Sequence, residues 1–283
     1  MRAKNITGLA FCLILFITGF TMNGNVGLFF NIAGFLIVIG GTCGAALVSY
    51  RVERLAIVTK VVYSSYKHPP KTPEEVIEIL RNLAVKSRYQ GILSLQQEED
   101  ETTISFLRNA LGMLVDGHSP QTIRELLNTE MFFFKTRRHE TEVIIRSIAD
   151  YAPAFGLVGS VVGLIGMLSG VGDTAVILRM VPIALTSTLY GIILANFLLV
   201  PFAANLQERT YRELLLQKII LDGILAIESE MNPRLLEKKL KFFLTPSARK
   251  WQMVPLHKIQ ERFKIKKEEA AGPKPWSFES PAK

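Results

Sequence analysis

Two apolar runs joined by a short polar link fill residues 151–207, which read YAPAFGLVGSVVGLIGMLSGVGDTAVILRMVPIALTSTLYGIILANFLLVPFAANLQ. Asp173 and Arg179 are the only charged residues in this segment. About 20 apolar helical residues cross a bilayer core of about 30 Å, so the segment predicts two membrane spans joined by a hairpin. Hydroxyl and proline residues lie inside both spans, where they are costly unless they face protein or a water-lined path. The segment is therefore a candidate ion pathway rather than a plain anchor.

A second uncharged block extends from Asn5 to Tyr50 and is long enough for two further spans. Asn23-Gly24-Asn25 divides this block, because such dipeptides favour turns. We therefore predict four transmembrane helices, at about 6–22, 28–49, 151–172 and 181–204. The predicted fold class is an all-α integral membrane protein with a helical cytoplasmic domain.

The first span has one alternative interpretation, a cleaved signal peptide, since Arg2 and Lys4 precede an apolar run. No small-x-small cleavage motif stands near Asn23, and a second span follows at once. Both observations favour a retained helix.

Basic residues near the ends of the spans predict the orientation of the chain. The hairpins at 23–27 and 173–180 contain one basic residue between them, Arg179. The segments that flank the spans on the other side are rich in them: Arg51, Arg54, Lys60, Arg137, Arg138, Arg146, Arg209, Arg212 and Lys218. Both termini and both long soluble segments should therefore be cytoplasmic. This topology accounts for the net charge of +8, and no basic stripe with interleaved aromatic residues indicates nucleic acid.

Helix-start signals organise the soluble segments. Thr72-Pro73-Glu74-Glu75 is a capping box with proline at the first helical position, and Ser119-Pro120 begins a periodic apolar pattern that continues into the third span. The fourth span should continue past Pro201 as a helix through Glu228, and Asn232-Pro233 should cap a short amphipathic helix. The predicted regions are transmembrane helices 1–2 (1–50), a cytoplasmic helical domain (51–150), transmembrane helices 3–4 (151–204), a cytoplasmic helical extension (205–249) and a flexible basic tail (250–283).

Metal, disulfide and nucleotide chemistry have no sequence support. Cys12 and Cys43 both lie in predicted spans, where cysteine behaves as a small hydrophobe. The four histidines lack metal-ligand spacing, so no metal site is predicted. The glycines of the spans are not followed by the Lys-Ser/Thr of a phosphate loop. We expect neither a cofactor nor enzymatic activity.

Small residues one helical turn apart mark helix-packing positions in two spans, with Gly40 and Gly44 in the second and Gly159 and Gly163 in the third. Such spacing lets helices approach backbone to backbone. The contact can lie within the chain or between subunits, and the sequence leaves both open.

Pro153 and Pro201 lie near the cytoplasmic ends of the third and fourth spans. Each removes a backbone donor and loosens one helical turn. They act either as structural kinks or as hinges that couple a membrane event to the cytoplasmic helices.

Ser160, Thr186 and Thr188 lie at comparable depth in the paired spans. Each hydroxyl can bond the carbonyl four residues earlier in its own helix, or the three can line a shared polar path. No Asp, Glu, His, Lys or Arg lies inside any predicted span, although proton relays in membranes ordinarily need such a group. If ions cross here, the essential carboxylate must come from another chain.

These motifs together resemble those of the MotA/TolQ/ExbB proton-channel family, in its flagellar stator branch. The matching segments run in order from about Asn5 to Arg249: Ile39-Gly40-Gly41-Thr42, Ala84-Val85-Lys86-Ser87-Arg88 with Gly91, Ala152-Pro153-Ala154-Phe155-Gly156, Thr186-Ser187-Thr188-Leu189-Tyr190-Gly191 with Ala195-Asn196 and Pro201, Asp222-Gly223-Ile224, and Asn232-Pro233-Arg234.

The resemblance implies a multi-pass subunit of the bacterial inner membrane. Several copies, five in this family, would surround a dimer of a single-span MotB-like partner that carries the membrane Asp. The transported ion would be H⁺ or Na⁺, and the cytoplasmic domain would drive the rotor protein FliG. The two prolines match the family prolines, and Ser160 and Thr188 match positions that line the ion route.

The resemblance also places the rotor contact in the cytoplasmic domain. Arg88 matches the rotor-facing basic residue, whereas the expected acidic position is Gln96 here. Glu98 and Glu99 follow closely and are the predicted substitutes.

Two alternatives to the stator function stay open: an envelope energiser of the TolQ/ExbB type, and a passive membrane scaffold.

Overall fold

The structure is a computed structural model that describes residues 11, 14–15, 17–19, 22, 26–67, 71–102 and 104–245. All regular structure within these residues is helical. Within the described residues, three apolar helical segments are long enough to cross a membrane by length and composition: Ile32–Ser49, Pro120–Ser169 and Thr174–Glu228. The all-α membrane fold is thus confirmed for the described residues. The first predicted span, 6–22, lies largely outside them, as does the basic tail.

Nine α-helices are described: α1 (Ile32–Ser49), α2 (Val52–Lys67), α3 (Pro73–Gln90), α4 (Gln96–Glu101), α5 (Ser105–Val115), α6 (Pro120–Ser169), α7 (Thr174–Ile193), α8 (Val200–Glu228) and α9 (Pro233–Lys241). Short 3₁₀ turns at Val26–Phe29 and Ile92–Leu95 precede α1 and α4. A π-helical turn, Leu194–Leu199, joins α7 to α8 without a break.

Side-chain caps explain where several of these helices begin. Thr72 Oγ1 accepts a hydrogen bond from the Glu75 N–H at 3.4 Å, with Pro73 in the first turn. Ser119 Oγ accepts from the Thr122 N–H at the start of α6, and Asn232 Oδ1 accepts from the Arg234 N–H at the start of α9. Each cap satisfies a backbone donor that has no partner within the helix. The three predicted helix starts are confirmed.

The chain divides into two compact units. The first comprises the described residues of Met1–Tyr66 with His139–Gln207. Helix α1 there turns one buried face inward, formed by Gly34, Val38, Thr42 and Ala46 at four-residue spacing. Repetition every fourth residue places these side chains on one side of the helix.

The second unit comprises the described residues of Lys67–Arg138 with Glu208–Lys283. Its core joins α3, α5, α6, α8 and α9 through fully buried side chains such as Leu80, Leu107, Leu127, Ile220 and Leu236. Burial of each such side chain contributes about 1.5–3 kcal/mol. This core is the main source of stability in the second unit.

Three ion pairs, two of which share Glu237, lie buried or partly buried in the second unit. Arg81 and Glu237 meet at 3.4 Å and join α3 to α9, and Lys241 contacts Glu237 at 2.7 Å. Lys86 meets Glu98 at 2.8 Å. Buried charges are tolerated only when they are paired in this way.

Candidate ion pathway and hinge

Helices α6 and α7 pack backbone to backbone along a seam of small residues. A Cβ built at Gly159 would lie 2.5 Å from Ser187 Oγ, and one built at Gly163 would lie 2.6 Å from the backbone N of Ala184. At Gly191 a Cβ would lie 2.5 Å from the carbonyl oxygen of Ala152. Only glycine allows helices this close. Gly159 and Gly163 therefore make contacts within the chain.

Gly40 and Gly44 lie in a different environment, on the exposed side of α1. Among the described residues, no atom beyond the adjacent residues and nearby backbone of α1 lies within 4 Å of a Cβ built at either position. The next residue after Gly40, Gly41, packs closely instead, against the ring of Phe155. The structure thus assigns no intramolecular contact to Gly40 or Gly44 within the part of the chain it describes.

Ser160 and Thr188 meet across the seam. Ser160 Oγ lies 2.5 Å from Thr188 Oγ1 and donates to the carbonyl oxygen of Ala184 at 2.5 Å. The carbonyl of Gly156 is also close, at 3.3 Å from Ser160 Oγ and 3.4 Å from Thr188 Oγ1. Both side chains are half-buried.

This hydroxyl pair is chemically suited to a small cation or a water. Each hydroxyl has one proton and two acceptor lone pairs, so the two groups can bond in series and still accept from water. Hydroxyl and carbonyl oxygens are also ligands for hard cations. Two side chains 28 residues apart in sequence therefore form one polar site on the α6–α7 seam.

Thr186 lies outside the hydroxyl pair. Its Oγ1 donates to the carbonyl of Pro182 at 2.7 Å, and neighbouring Ser187 donates to Ile183 at 2.7 Å. Both are buried, and both lie against Gly34 of α1, where a built Cβ would come within 2.7 Å of Ser187 Oγ and 3.3 Å of Thr186 Oγ1. The structure brings together two of the three predicted pathway hydroxyls and satisfies the third within its own helix.

Both predicted hinge prolines lie in loosened helical turns. Pro153 is inside α6 and removes the N–H that would bond the carbonyl of Ala149 in a regular helix. Pro201 follows the π-helical turn, where the Val200 N–H bonds the carbonyl of Ala195 five residues earlier. π-helical turns are rare in proteins overall, and those that occur are often found at functional sites.

The size of the packed side chains changes along α6 and α8 on either side of the prolines. Three small buried residues, Ala149, Ala152 and Ala195, form a cluster beside the loosened turns. Further along α6 and α8 a larger apolar cluster joins α2, α6 and α8, and we call it the lower cluster: Val58, Ile144, Ile145, Ala203 and Leu206. The prolines therefore lie between the α6–α7 seam and the lower cluster, where a bend displaces the fewest large side chains.

Sequence reasoning missed the structural role of Tyr190 in α7. Its hydroxyl donates to the carbonyl of Phe29 at 2.5 Å and accepts from the Asn31 N–H at 2.8 Å. Backbone groups where the 3₁₀ turn meets α1 are thereby satisfied by a side chain, as an apolar environment requires. A tyrosine within a span was the available signal, since a buried phenol needs a partner.

The predicted rotor-contact residues differ in exposure. Arg88 is exposed and lines a pocket of about 440 Å³ near the end of α3, together with Gly91 and Met231. Glu98 is instead half-buried in the ion pair with Lys86, and the Glu99 carboxylate lies 2.8 Å from a Cβ built at Gly112. In this unit the basic residue is presented outward, whereas both acidic residues contact the chain itself.

No metal centre is found in the part of the chain that the structure describes, since no group of three or more His, Cys, Asp or Glu residues there could hold an ion.

Comparison with known proteins gives a consistent result. The profile of the MotA/TolQ/ExbB proton channel family matches residues 98–218. Chemotaxis protein PomA of Vibrio alginolyticus is 32% identical over 244 residues, which are 86% of this chain and 94% of that protein. The structure of C. jejuni MotAB matches with a TM-score of 0.82 at 27% identity, covering 90% of this chain and 100% of that one. The flagellar MotAB stator complex from Bacillus subtilis matches with a TM-score of 0.79 at 28% identity, covering 86% and 96%.

Proposed function

Because the chain belongs to the MotA/TolQ/ExbB proton channel family, as a homologue of flagellar stator subunits of the MotA/PomA type, we propose that it is the A-type subunit of a flagellar stator. In this role it forms an ion channel with a MotB-like partner and converts ion-motive force into torque. The family is one of channels rather than of enzymes. The observation that carries the proposal is the Ser160–Thr188 hydroxyl pair, 2.5 Å apart between two predicted spans that contain no Asp, Glu, His, Lys or Arg.

The assembly we propose has four spans, including 6–22, in each of five subunits arranged in a ring. The ring surrounds a dimer of a single-span partner that supplies the membrane Asp. Two-component complexes named in the similar solved structures support this arrangement. So does the lack of an acid in the spans, since the channel then needs a carboxylate from outside the chain.

The proposed mechanism uses the hydroxyl pair and the two prolines of the first unit. The ion, H⁺ or Na⁺, leaves the partner Asp and passes the Ser160–Thr188 pair, where oxygens replace part of its hydration shell. One charge crossing 100 mV releases about 2.3 kcal/mol. Pro153 and Pro201 let α6 and α8 bend in response, between the α6–α7 seam and the lower cluster.

The output end of the mechanism lies in the cytoplasmic regions, 51–150 and 205–249. We propose that exposed Arg88 contacts the rotor protein FliG. Glu98 and Glu99 are weaker candidates, because both carboxylates already contact the chain. Basic residues flanking the spans support a chain in the inner membrane with both termini cytoplasmic.

Purification from native membranes in mild detergent, followed by mass spectrometry, tests the proposed function. The expected companion is a single-span protein with a membrane Asp and a periplasmic cell-wall-binding domain. A companion with the layout of TolR or TonB would instead assign the chain to envelope energisation. A complex of this chain alone would leave the channel without its carboxylate and would contradict the proposal.

A further inference from the structure

Two tyrosine–serine hydrogen bonds connect the C-terminal end of α1 to α6, beside the turn that Pro153 loosens. Tyr50 Oη donates to Ser147 Oγ at 2.8 Å, and Ser49 Oγ lies 3.0 Å from Tyr151 Oη. The pattern is reciprocal, since each segment contributes one serine and one tyrosine. Ser147 and Tyr151 are four residues apart and therefore share one face of α6. We call these four residues the Tyr–Ser staple.

The staple is anchored at the beginning of the weakened turn. In a regular helix the residue at 153 would donate to the carbonyl of Ala149, and Pro153 cannot. Ser147 precedes Ala149, whereas Tyr151 lies between Ala149 and Pro153. A bend at this turn changes the position of Tyr151 relative to Ser147. Their partners are adjacent in sequence and keep a fixed separation, so a bend stretches one of the two bonds.

The α1 side of the staple is itself held in place. Tyr50 caps α1 with an extended backbone, and its N–H bonds the carbonyl of Ala46 at 2.9 Å. Its ring packs against the lower cluster, which includes Ile144 and Ile145 of α6. Arg146, the residue before Ser147 in α6, donates to Gln207 of α8 at 3.4 Å. The staple therefore ties the loosened turn to a fixed reference at the end of α1.

We propose that the Tyr–Ser staple sets the resting angle of the Pro153 hinge and opens when α6 bends. The four residues are positioning residues: they do not touch the ion, and they act through Pro153. The inference rests on the hinge role proposed above. A neutral hydrogen bond changes an opening equilibrium by only about 2- to 12-fold, so each bond favours the resting angle and still breaks in every cycle.

Hydrogen–deuterium exchange with mass spectrometry tests the staple on the full-length complex with its membrane partner. Tyr50→Phe and Tyr151→Phe each remove one hydroxyl and keep the ring. Exchange in the peptide covering residues 147–157 should become about 2- to 12-fold faster in each single variant, and faster still in the double variant. Exchange in the core of the second unit, around Leu80, should not change. Tyr63→Phe is the matched control, because Tyr63 is 70% exposed on α2.

A conservative pair separates positioning from general loss of stability. Ser147→Thr keeps a hydroxyl at the site and should exchange like the unaltered chain, whereas Ser147→Ala should exchange like Tyr50→Phe. Equal acceleration in all peptides, or none in the double tyrosine variant, would overturn the proposal. Exchange is measured without ion flow, so this result does not depend on whether the complex drives a motor.

Discussion

Gly163 lies where one added methyl group on α6 would meet backbone atoms of the facing helix α7. A Cβ at Gly163 would lie 2.6 Å from the backbone N of Ala184 and 2.8 Å from both its Cα and Cβ. Carbon atoms ordinarily pack at about 3.5–4.0 Å, so the two 2.8 Å contacts leave Gly163→Ala short of about 0.7–1.2 Å of space. Two of these three neighbours are backbone atoms, so α6 and α7 must separate to accept the methyl group.

The expected cost follows from overpacking, which is about 1–3 kcal/mol for a small-to-large change in a packed core. For a chain of this size we expect the apparent Tm of the purified complex to fall by about 2–12 °C. Separation of the helices also lengthens the contact between Ser160 and Thr188, one turn away. Torque should therefore decrease by more than the loss of stability alone explains.

Gly166→Ala is the matched control on the same helix. A Cβ there would lie 2.8 Å from Met180 Sδ, the end of a flexible side chain that can move aside. The Tm of the Gly166→Ala variant should stay within about 2 °C of that of the unaltered protein. Thermal unfolding of both variants, followed by loss of the folded complex in size-exclusion chromatography, compares them directly. An unchanged Tm in Gly163→Ala, or an equal decrease in both variants, would refute the close packing described for this seam.

Three further predictions concern other parts of the molecule. Pro153→Leu restores the backbone donor and should abolish swimming while the protein remains inserted; full motility would refute the hinge, and immunoblotting of membranes controls for expression. Tyr190→Phe leaves the Asn31 N–H and the Phe29 carbonyl without their phenol partner, which should cost about 1–3 kcal/mol of stability and lower the Tm. The control is Tyr211→Phe, because Tyr211 is 60% exposed, and equal Tm values in the two variants would contradict the Tyr190 contact. Glu237→Gln leaves Arg81 and Lys241 without their shared carboxylate and should destabilise the second unit by about 3–5 kcal/mol. The measurement is limited proteolysis of α9, which should become faster; an unchanged rate would exclude a stabilising role for these ion pairs.

Much of the fold follows from local sequence signals. Thr72, Ser119 and Asn232 each predict a helix start, because their side chains satisfy backbone donors that the helix leaves unpaired. Charge-free runs of membrane length also predict the three spans that lie within the described residues. These features depend on neighbours in sequence, and a single chain is enough to read them.

Features that depend on contacts between distant residues were harder to predict. Spacing placed Ser160, Thr186 and Thr188 at similar depth, but only the rotation of α7 decides that Thr188 faces α6 while Thr186 bonds its own helix. The π-helical turn before Pro201 results from how α7 continues into α8, and no local pattern announces it. Glu98 looked available for a partner, yet Lys86 already binds it.

The Ser160–Thr188 pair is the centre of the proposed mechanism, and an isosteric substitution tests it most directly. Thr188→Val removes the hydroxyl from the pair, whereas Thr186→Val removes a hydroxyl that bonds its own helix. A hydrogen bond to a charged group contributes about 1.5–3 kcal/mol, so the ion-passage rate should fall about 10- to 150-fold in Thr188→Val. Torque per stator, measured on tethered cells with the native partner, should collapse in Thr188→Val and persist in Thr186→Val. Equal torque in the two variants would contradict an ion route through the Ser160–Thr188 pair.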